Sequence, residues 1–290
     1  MAGLAADAAS PAPGARAGLP GRLSVILPAY NEAAHLYANL QRVCRALAGL
    51  DLEVLVVDDG SQDATFAEAQ RAAAEGLPVR AYRQPVNRGK GAALFYGVQF
   101  ATGDLVAFLD ADLEIAPEDI PRLWVAMTAT GAEVVVAAKS AADSRFPLLR
   151  RLLSRLYRRL VAALFGLSLS DTQTGLKLFR REVLALAAPR LSVSRFAFDI
   201  ELLVAATRFG FRVVECPVQS EYHRAGRMGR IGLGQMTRML GDTLAIYYRA
   251  SFWRWLEPGP ATRLWMIAFV LGVFLVGIGI GKLITPLILT

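Results

Sequence analysis

Cysteine is scarce. The 290 residues hold two, Cys44 and Cys216, too far apart in sequence to show a disulfide framework or a zinc-ligand spacing, and both read as core thiols. A secretory leader is not visible either, because "MAGLAADAAS" carries neither a basic start nor an apolar stretch. Residues 1–22, mostly Ala, Gly and Pro, are therefore expected to form a disordered tail. The aromatics, 9% of the chain, show no RNA-binding signature, so nucleic acid is not an expected partner despite a net charge of +7 and a pI near 9.7. With 54% hydrophobic residues and a mean hydropathy of +0.37, the basic excess points to a membrane surface or a polyanionic ligand. The length suffices for one large domain or two small ones.

Charge is what the C-terminal end lacks. From Leu264 to Leu289, "LWMIAFVLGVFLVGIGIGKLITPLIL", the only charged residue is Lys282. Such a helix would span roughly 39 Å, enough to cross a hydrocarbon core of about 30 Å with tilt. One transmembrane helix is the expectation, a buried core helix the alternative. Gly272, Gly277, Gly279 and Gly281 suit helix packing in lipid, so a homo-oligomer stays open. Arg249, Arg254 and Arg263 precede the run, with Trp253, Trp255 and Trp265 at interface depth. That basic flank places the bulk of the protein on the cytoplasmic face of the membrane.

Between the ends, short β-rich runs alternate with amphipathic stretches. "LSVILP" (23–28), "LEVLVV" (52–57), "PVRAY" (78–82), "DLVAFL" (104–109) and "EVVVAA" (133–138) are the expected strands, with helices at 31–48 and 62–75 among the intervening segments. This order predicts an α/β fold with a mostly parallel sheet covered on both faces, whose ligands bind outside the carboxyl ends of the strands. Three acidic strand ends would meet there: Asn31 and Glu32, Asp58 and Asp59, and Asp110 and Asp112. Residues two apart in an extended segment face the same side, so Asp110 and Asp112 are expected to address one ligand. Close carboxylates repel unless a cation separates them, and a hard divalent ion supplies one. The plainer alternative is that such aspartates, Asp59 or Asp63 in particular, only cap the next helix.

"LPAYNE", "VVDDGSQD", "NRGKGAAL" and "FLDADLE", in that order, resemble the family 2 glycosyltransferases with a Rossmann-like GT-A fold, especially the branch that glycosylates polyprenyl or dolichyl phosphate. "SDTQTGLKLFRRE" (170–182) and "FAFDIELL" (196–203) resemble the dolichyl-phosphate glucosyltransferases of that branch more than its mannose synthases. The resemblance runs from residue 23 to about 225, within a catalytic domain expected at 23–222. It implies that Pro28, Tyr30, Glu32, Asp58, Lys90, Asp110 and Ala111 bind a nucleotide sugar, with Asp58 accepting from the base. Asp110, Asp112 and Glu114 would hold Mg²⁺ or Mn²⁺ against the donor pyrophosphate. Two positions depart from the pattern: Glu114 where many relatives carry Gln, and Lys139 where Arg is usual. "NRGKG" (87–91) lacks P-loop spacing, and Lys90 is expected to approach either the donor phosphates or the carboxylates after the fourth strand, the alternative being a plain helix-start loop with a solvated lysine.

From Arg145 to Arg159, "RFPLLRRLLSRLYRR" has six arginines and no acid. Leu149, Leu152, Leu153, Leu156 and Leu160 share one helical face and Arg151, Arg155 and Arg158 the other, as in a helix lying in a membrane interface. The alternative docks that helix on the protein's own core. A second basic and apolar stretch, 223–258, leads into the expected transmembrane helix and would complete an interfacial platform with 145–165. A phosphate monoester acceptor is mostly ionised at neutral pH, its second pKa being about 6, and attacks without a catalytic base. By resemblance, Arg150 or Arg151 and Arg224 would hold that acceptor phosphate. Asp112 and Asp199 complete the expected catalytic set; Asp171, Asp199 and Glu201 have no required base role, with Asp199 contacting sugar hydroxyls and Asp171 equally suited to fixing its loop by hydrogen bonding. In-line displacement would invert the anomeric centre, with UDP-glucose the favoured donor and GDP-mannose or another UDP-hexose the alternatives. Transfer to a sugar or lipid hydroxyl, with Asp199 as general base, stays open. So do a sugar nucleotidyltransferase and a non-catalytic nucleotide-sugar-binding adaptor.

Overall fold

All five expected strands form, and two more join them. The computed structural model describes residues 21–139, 148–167, 169, 172–191, 193, 197–219 and 233–251, with side chains of 148–155 and 233–238 outside the description. In order, the elements are β1 Leu23–Ala29, α1 Ala33–Ala46, β2 Leu52–Asp58, α2 Thr65–Ala74, β3 Val79–Arg83, α3 Lys90–Val98, β4 Leu105–Phe108 and α4 Ile120–Thr130. Then come β5 Val134–Lys139, α5 Leu148–Phe165, β6 Lys177–Arg180, α6 Arg181–Ala187, α7 Phe198–Arg208, β7 Val213–Val218 and α8 Leu233–Ser251.

The sheet order is β3-β2-β1-β4-β6-β5-β7, parallel throughout except at β6, which runs antiparallel to both β4 and β5. The chain leaves β1 towards β2 and β3, then returns to pair β4 with the other edge of β1, with Ile26 opposite Phe108. That reversal is a topological switch point, and it puts the loops after β1 and β4 side by side. Pro217 is tolerated because β7 is the edge strand.

Alternation along β1 divides the core. Val25, Leu27 and Ala29 pack with α1, α2 and α4 on one face of the sheet. Ile26, with Leu55, Val106 and Phe179, packs with α3, α5, α6, α7 and α8 on the other. Helix α7 is buried from Phe198 to Ala206, so it serves as an inner layer that α8 covers. Cys216 is buried and Cys44 half-buried, both free thiols whose pKa burial pushes up, as core thiols require.

Among the described residues, no helix is long and apolar enough to cross a membrane. The run at 264–289 lies outside them, as do residues 1–20 of the expected tail, Asp171, Arg224 and the side chains of Arg150 and Arg151.

Candidate active site

The carboxyl ends of β1, β2 and β4 converge, as expected, on one cavity of about 290 Å³. Pro28, Tyr30, Glu32, Asp59, Gly89, Lys90, Asp110, Ala111 and Asp112 are among the residues that line it. Its walls are stitched together by side chains that bond neighbouring loops. After β1, Asn31 takes a left-handed backbone (φ 54°), and its N–H donates to Ser61 Oγ at 2.9 Å. The N–H groups of Glu32 and Ala33, at the start of α1, donate to Thr65 Oγ1 (2.8 Å) and Asp63 Oδ2 (3.2 Å) from the loop after β2. Asp63 thus serves the starts of both α1 and α2, since Oδ1 also accepts from Thr65 N–H at 3.0 Å. Asp59 does something else: its two oxygens accept the N–H groups of Arg88 and Gly89, each at 2.8 Å, and fix the "NRGKG" loop at the cavity wall. Gly60 permits this approach, because a Cβ there would stand 2.7 Å from the Val86 carbonyl carbon.

The acidic pair arises from a turn rather than from strand alternation. Strand β4 ends at Phe108, and Leu113, with φ 51° and its N–H on the Asp110 carbonyl at 3.0 Å, closes a tight turn over 110–113. A left-handed backbone is costly for leucine, and Leu113 bears it as a fully buried core residue. Asn39 of α1 braces the turn by donating to the Ala111 carbonyl at 2.7 Å. Behind Asp110 stands Gly175, where a Cβ would lie 2.4 Å from Oδ2. In front stands Lys90, whose Nζ is 2.5 Å from Asp110 Oδ1. Burial works against the Lys90 ammonium, but Asp110, Asp199 and Asp112 outweigh it and hold the pKa above the usual lysine value.

The other expected residues are placed differently. Asp58 is fully buried and is not among the lining residues; it accepts Ser61 N–H at 2.8 Å and pairs with Arg83 Nε at 3.2 Å. Glu114 also stands outside the lining, and its Oε1 accepts from Lys139 Nζ at 2.7 Å, so the two departures from the family pattern are partners. Asp199 is 4% exposed and bonds Lys177 Nζ at 2.6 Å. Burial pushes the Asp199 carboxyl up, with Lys177 and Lys90 opposing. Lys177, itself 1% exposed, also donates to the Thr174 carbonyl at 2.6 Å and thereby ties α7 to the segment behind Asp110. Glu201 braces α7 against α8 through Arg249 at 2.8 Å. Lys177, Gly175 and the holding role of Asp59 were missed in the sequence; the signal for Lys177 was "DTQTGLK" followed by an acid in "FAFDIELL".

Helix α5 buries Val161 and bonds Tyr157 OH to Thr243 Oγ1 of α8 at 2.7 Å, while Leu156 is 62% exposed. The leucine face of α5 is therefore not turned onto the sheet at this position. Leu240 and Leu244 of α8 are exposed as well. Of the expected interfacial segment at 145–165, residues 148–165 are helical.

A divalent ion fits the cavity on the chemistry of its donors. Asp110 and Asp112 present hard oxygen ligands, and the Lys90 ammonium already occupies a cation position on Asp110. Among the described residues no group of three or more His, Cys, Asp or Glu side chains gathers for a metal, so an ion here would need oxygens from a ligand and from water to complete its shell.

Residues 24–186 match the model of the family described as glycosyl transferase family 2. The chain is 32% identical over 248 residues to a dolichyl-phosphate beta-glucosyltransferase of Trichomonas vaginalis, covering 80% of this chain and 75% of that one. It is 34% identical over 201 residues to an undecaprenyl-phosphate 4-deoxy-4-formamido-L-arabinose transferase of Enterobacter sp., covering 68% and 59%. Glucosyl-3-phosphoglycerate synthase of Mycobacterium tuberculosis, crystallised with Mn²⁺ and UDP-glucose, is similar in fold at a TM-score of 0.60, with 26% identity and 80% of each chain covered.

Proposed function

The chain belongs to glycosyl transferase family 2, and we propose that it is an inverting hexosyltransferase that moves a sugar from a nucleotide donor to a polyprenyl phosphate at a membrane surface. The observation that carries this reading is the cavity at the switch point, where Asp110, Asp112 and Lys90 stand together at the carboxyl edge of the sheet. The acceptor is taken from the relatives, whose names specify dolichyl and undecaprenyl phosphates. UDP-glucose is the favoured donor, in line with the glucosyltransferase relative and with the donor bound to the structural neighbour.

In this reading Tyr30, 43% exposed at the cavity, offers a ring for the base to stack on, and Pro28 and Glu32 flank it. Asp58 shapes the pocket from beneath, while Glu114 holds Lys139. Mg²⁺ or Mn²⁺ on Asp110 and Asp112 would neutralise charge on the leaving nucleoside diphosphate. The acceptor phosphate, ionised at neutral pH, attacks the anomeric carbon in line, and the chain's task is to hold two anions together. Arg150, Arg151 and Arg224 are the proposed acceptor clamp, close in sequence to the helices that expose Leu156, Leu240 and Leu244. Those leucines suit an interface helix, and the 264–289 run is the proposed transmembrane anchor, with the catalytic domain on the cytoplasmic face. Asp199, ion-paired and outside the cavity lining, is better suited to bracing than to proton abstraction from a hydroxyl acceptor.

The test is a pair of acceptors sharing one tail. The purified full chain with Mn²⁺ is given UDP-glucose, UDP-galactose or GDP-mannose, and nucleoside diphosphate release is followed with polyprenyl phosphate or the free polyprenol. Release with the phosphate alone supports the reading; release with the alcohol alone replaces it by a base-assisted hydroxyl transfer.

A further inference from the structure

We propose that Lys90 is a resident counter-ion that a divalent ion must displace from Asp110, and that the donor pyrophosphate, by taking up the displaced ammonium, couples nucleotide binding to ion binding. The inference rests on the metal-assisted reading above and concerns what this chain's own lysine does before the ion arrives.

Three observations carry it. First, Lys90 Nζ lies 2.5 Å from Asp110 Oδ1, one of the two carboxylate oxygens that Asp110 could offer a hard ion. Two cations cannot share that position without strong repulsion. Second, Asp110 is closed on one side and held at its backbone. Gly175 stands so close that a Cβ there would be 2.4 Å from Oδ2 and 2.7 Å from Cγ, the Leu113 N–H holds the Asp110 carbonyl, and Asn39 holds that of Ala111. Third, Lys90 can move. It opens α3, its side chain is 34% exposed, and it lines the same cavity as the "NRGKG" residues Asn87 and Gly89. Asp59 fixes the backbone of Arg88 and Gly89 just before it, so the anchor stays in place while the four-carbon stem reorients.

The consequence is a sign that an ordinary binding lysine does not give. A lysine that only grips phosphate leaves metal binding alone untouched; one that occupies the ion's ligand weakens it. Metal by itself pays for displacing the ammonium, whereas metal with nucleotide moves it onto phosphate, so each ligand tightens the other through Lys90.

The experiment measures Mn²⁺ binding to the full-length protein in detergent by calorimetry and by the electron spin resonance of free Mn²⁺, without nucleotide, with UDP and with GDP. Lys90→Gln and Lys90→Met are compared with wild type, and Arg88→Gln serves as a control for an exposed charge two residues before Lys90. Each variant is first shown to match the wild-type unfolding midpoint. Expected is Mn²⁺ binding without nucleotide that is roughly fivefold tighter in both Lys90 variants, the worth of one partly exposed ion pair. The factor by which nucleotide tightens Mn²⁺ should shrink by about the same amount, with Arg88→Gln unchanged. Unchanged or weaker Mn²⁺ binding in the Lys90 variants, or an equal gain in Arg88→Gln, overturns the counter-ion role while leaving the metal reading intact. Absence of Mn²⁺ binding to wild type even with nucleotide overturns the metal reading and this inference with it.

Discussion

The carboxyl edge of β1, β2 and β4 and the outer helices α5 and α8 are held in opposite ways. At the edge, loops are locked by polar side chains reaching other loops: Asp59 onto the backbone of 88–89, Asp63 and Thr65 onto the start of α1, Asn39 onto Ala111. Among the described side chains, the outer helices meet the body through apolar contacts such as Val161 and Ile246 and the Glu201–Arg249 bond, are tied to each other by Tyr157–Thr243, and leave Leu156, Leu240 and Leu244 exposed. A water-soluble, multiply charged donor calls for fixed polar groups, and a lipid acceptor calls for uncovered apolar ones. The two ends of the proposed reaction are thus matched to two kinds of construction.

Breaking the buried pair behind the polar edge should have the largest effect. Lys177→Met leaves Asp199 unpaired inside the core and is expected to cost about 3–5 kcal/mol in urea unfolding, much of it recovered by adding Asp199→Leu. Lys139→Met, which breaks a partly exposed pair, should cost only about 1 kcal/mol or less in the same titration. Gly175→Ala pushes on Asp110 and is expected to lower turnover about a hundredfold, with the KM for polyprenyl phosphate nearly constant. On the apolar side, Leu156→Asn with Leu244→Asn should raise the KM for polyprenyl phosphate in liposomes about tenfold and leave UDP affinity unchanged. If UDP affinity fell equally, the division between the two regions would be lost.

A smaller effect tests the polar bonding away from the site. Burial raises the pKa of Glu53, but hydrogen bonds from Ser24 and Thr102 and the charge of Arg80 outweigh it and hold the carboxyl below its usual value. The unfolded chain therefore takes up the proton first as pH falls. The contribution of Glu53 is complete above the unfolded glutamate pKa of about 4.3 and disappears as pH drops through the lower folded value. Glu53→Gln should be less stable than wild type at pH 7 by about 1 kcal/mol, and the gap should close in urea titrations as pH falls through the lowered folded pKa.

The five strands β1–β5 and the converging acidic ends were legible because apolar runs and polar strand ends are local signals. Strand β6 was not, since it has four residues, runs antiparallel, and begins with Lys177, whose charge reads as surface until Asp199, 22 residues away, is placed against it. The Asp110–Asp112 pair was legible, but its geometry was not: nothing in leucine's chemistry announces a left-handed Leu113. Glu114 and Lys139 each stood out as a departure from the family pattern, and only the fold shows that they answer one another across 25 residues.

The most direct test is to count label in the organic phase after the full chain, reconstituted with polyprenyl phosphate and Mn²⁺, is incubated with labelled UDP-glucose, beside the same protein carrying Asp112→Asn. Expected is glucose transfer to the lipid by wild type and a loss on the order of a thousandfold in the variant, with the unfolding midpoint preserved. Nucleotide-sugar binding by wild type with no label in the lipid, or transfer that survives Asp112→Asn, would contradict a metal-assisted transfer at the edge of this sheet.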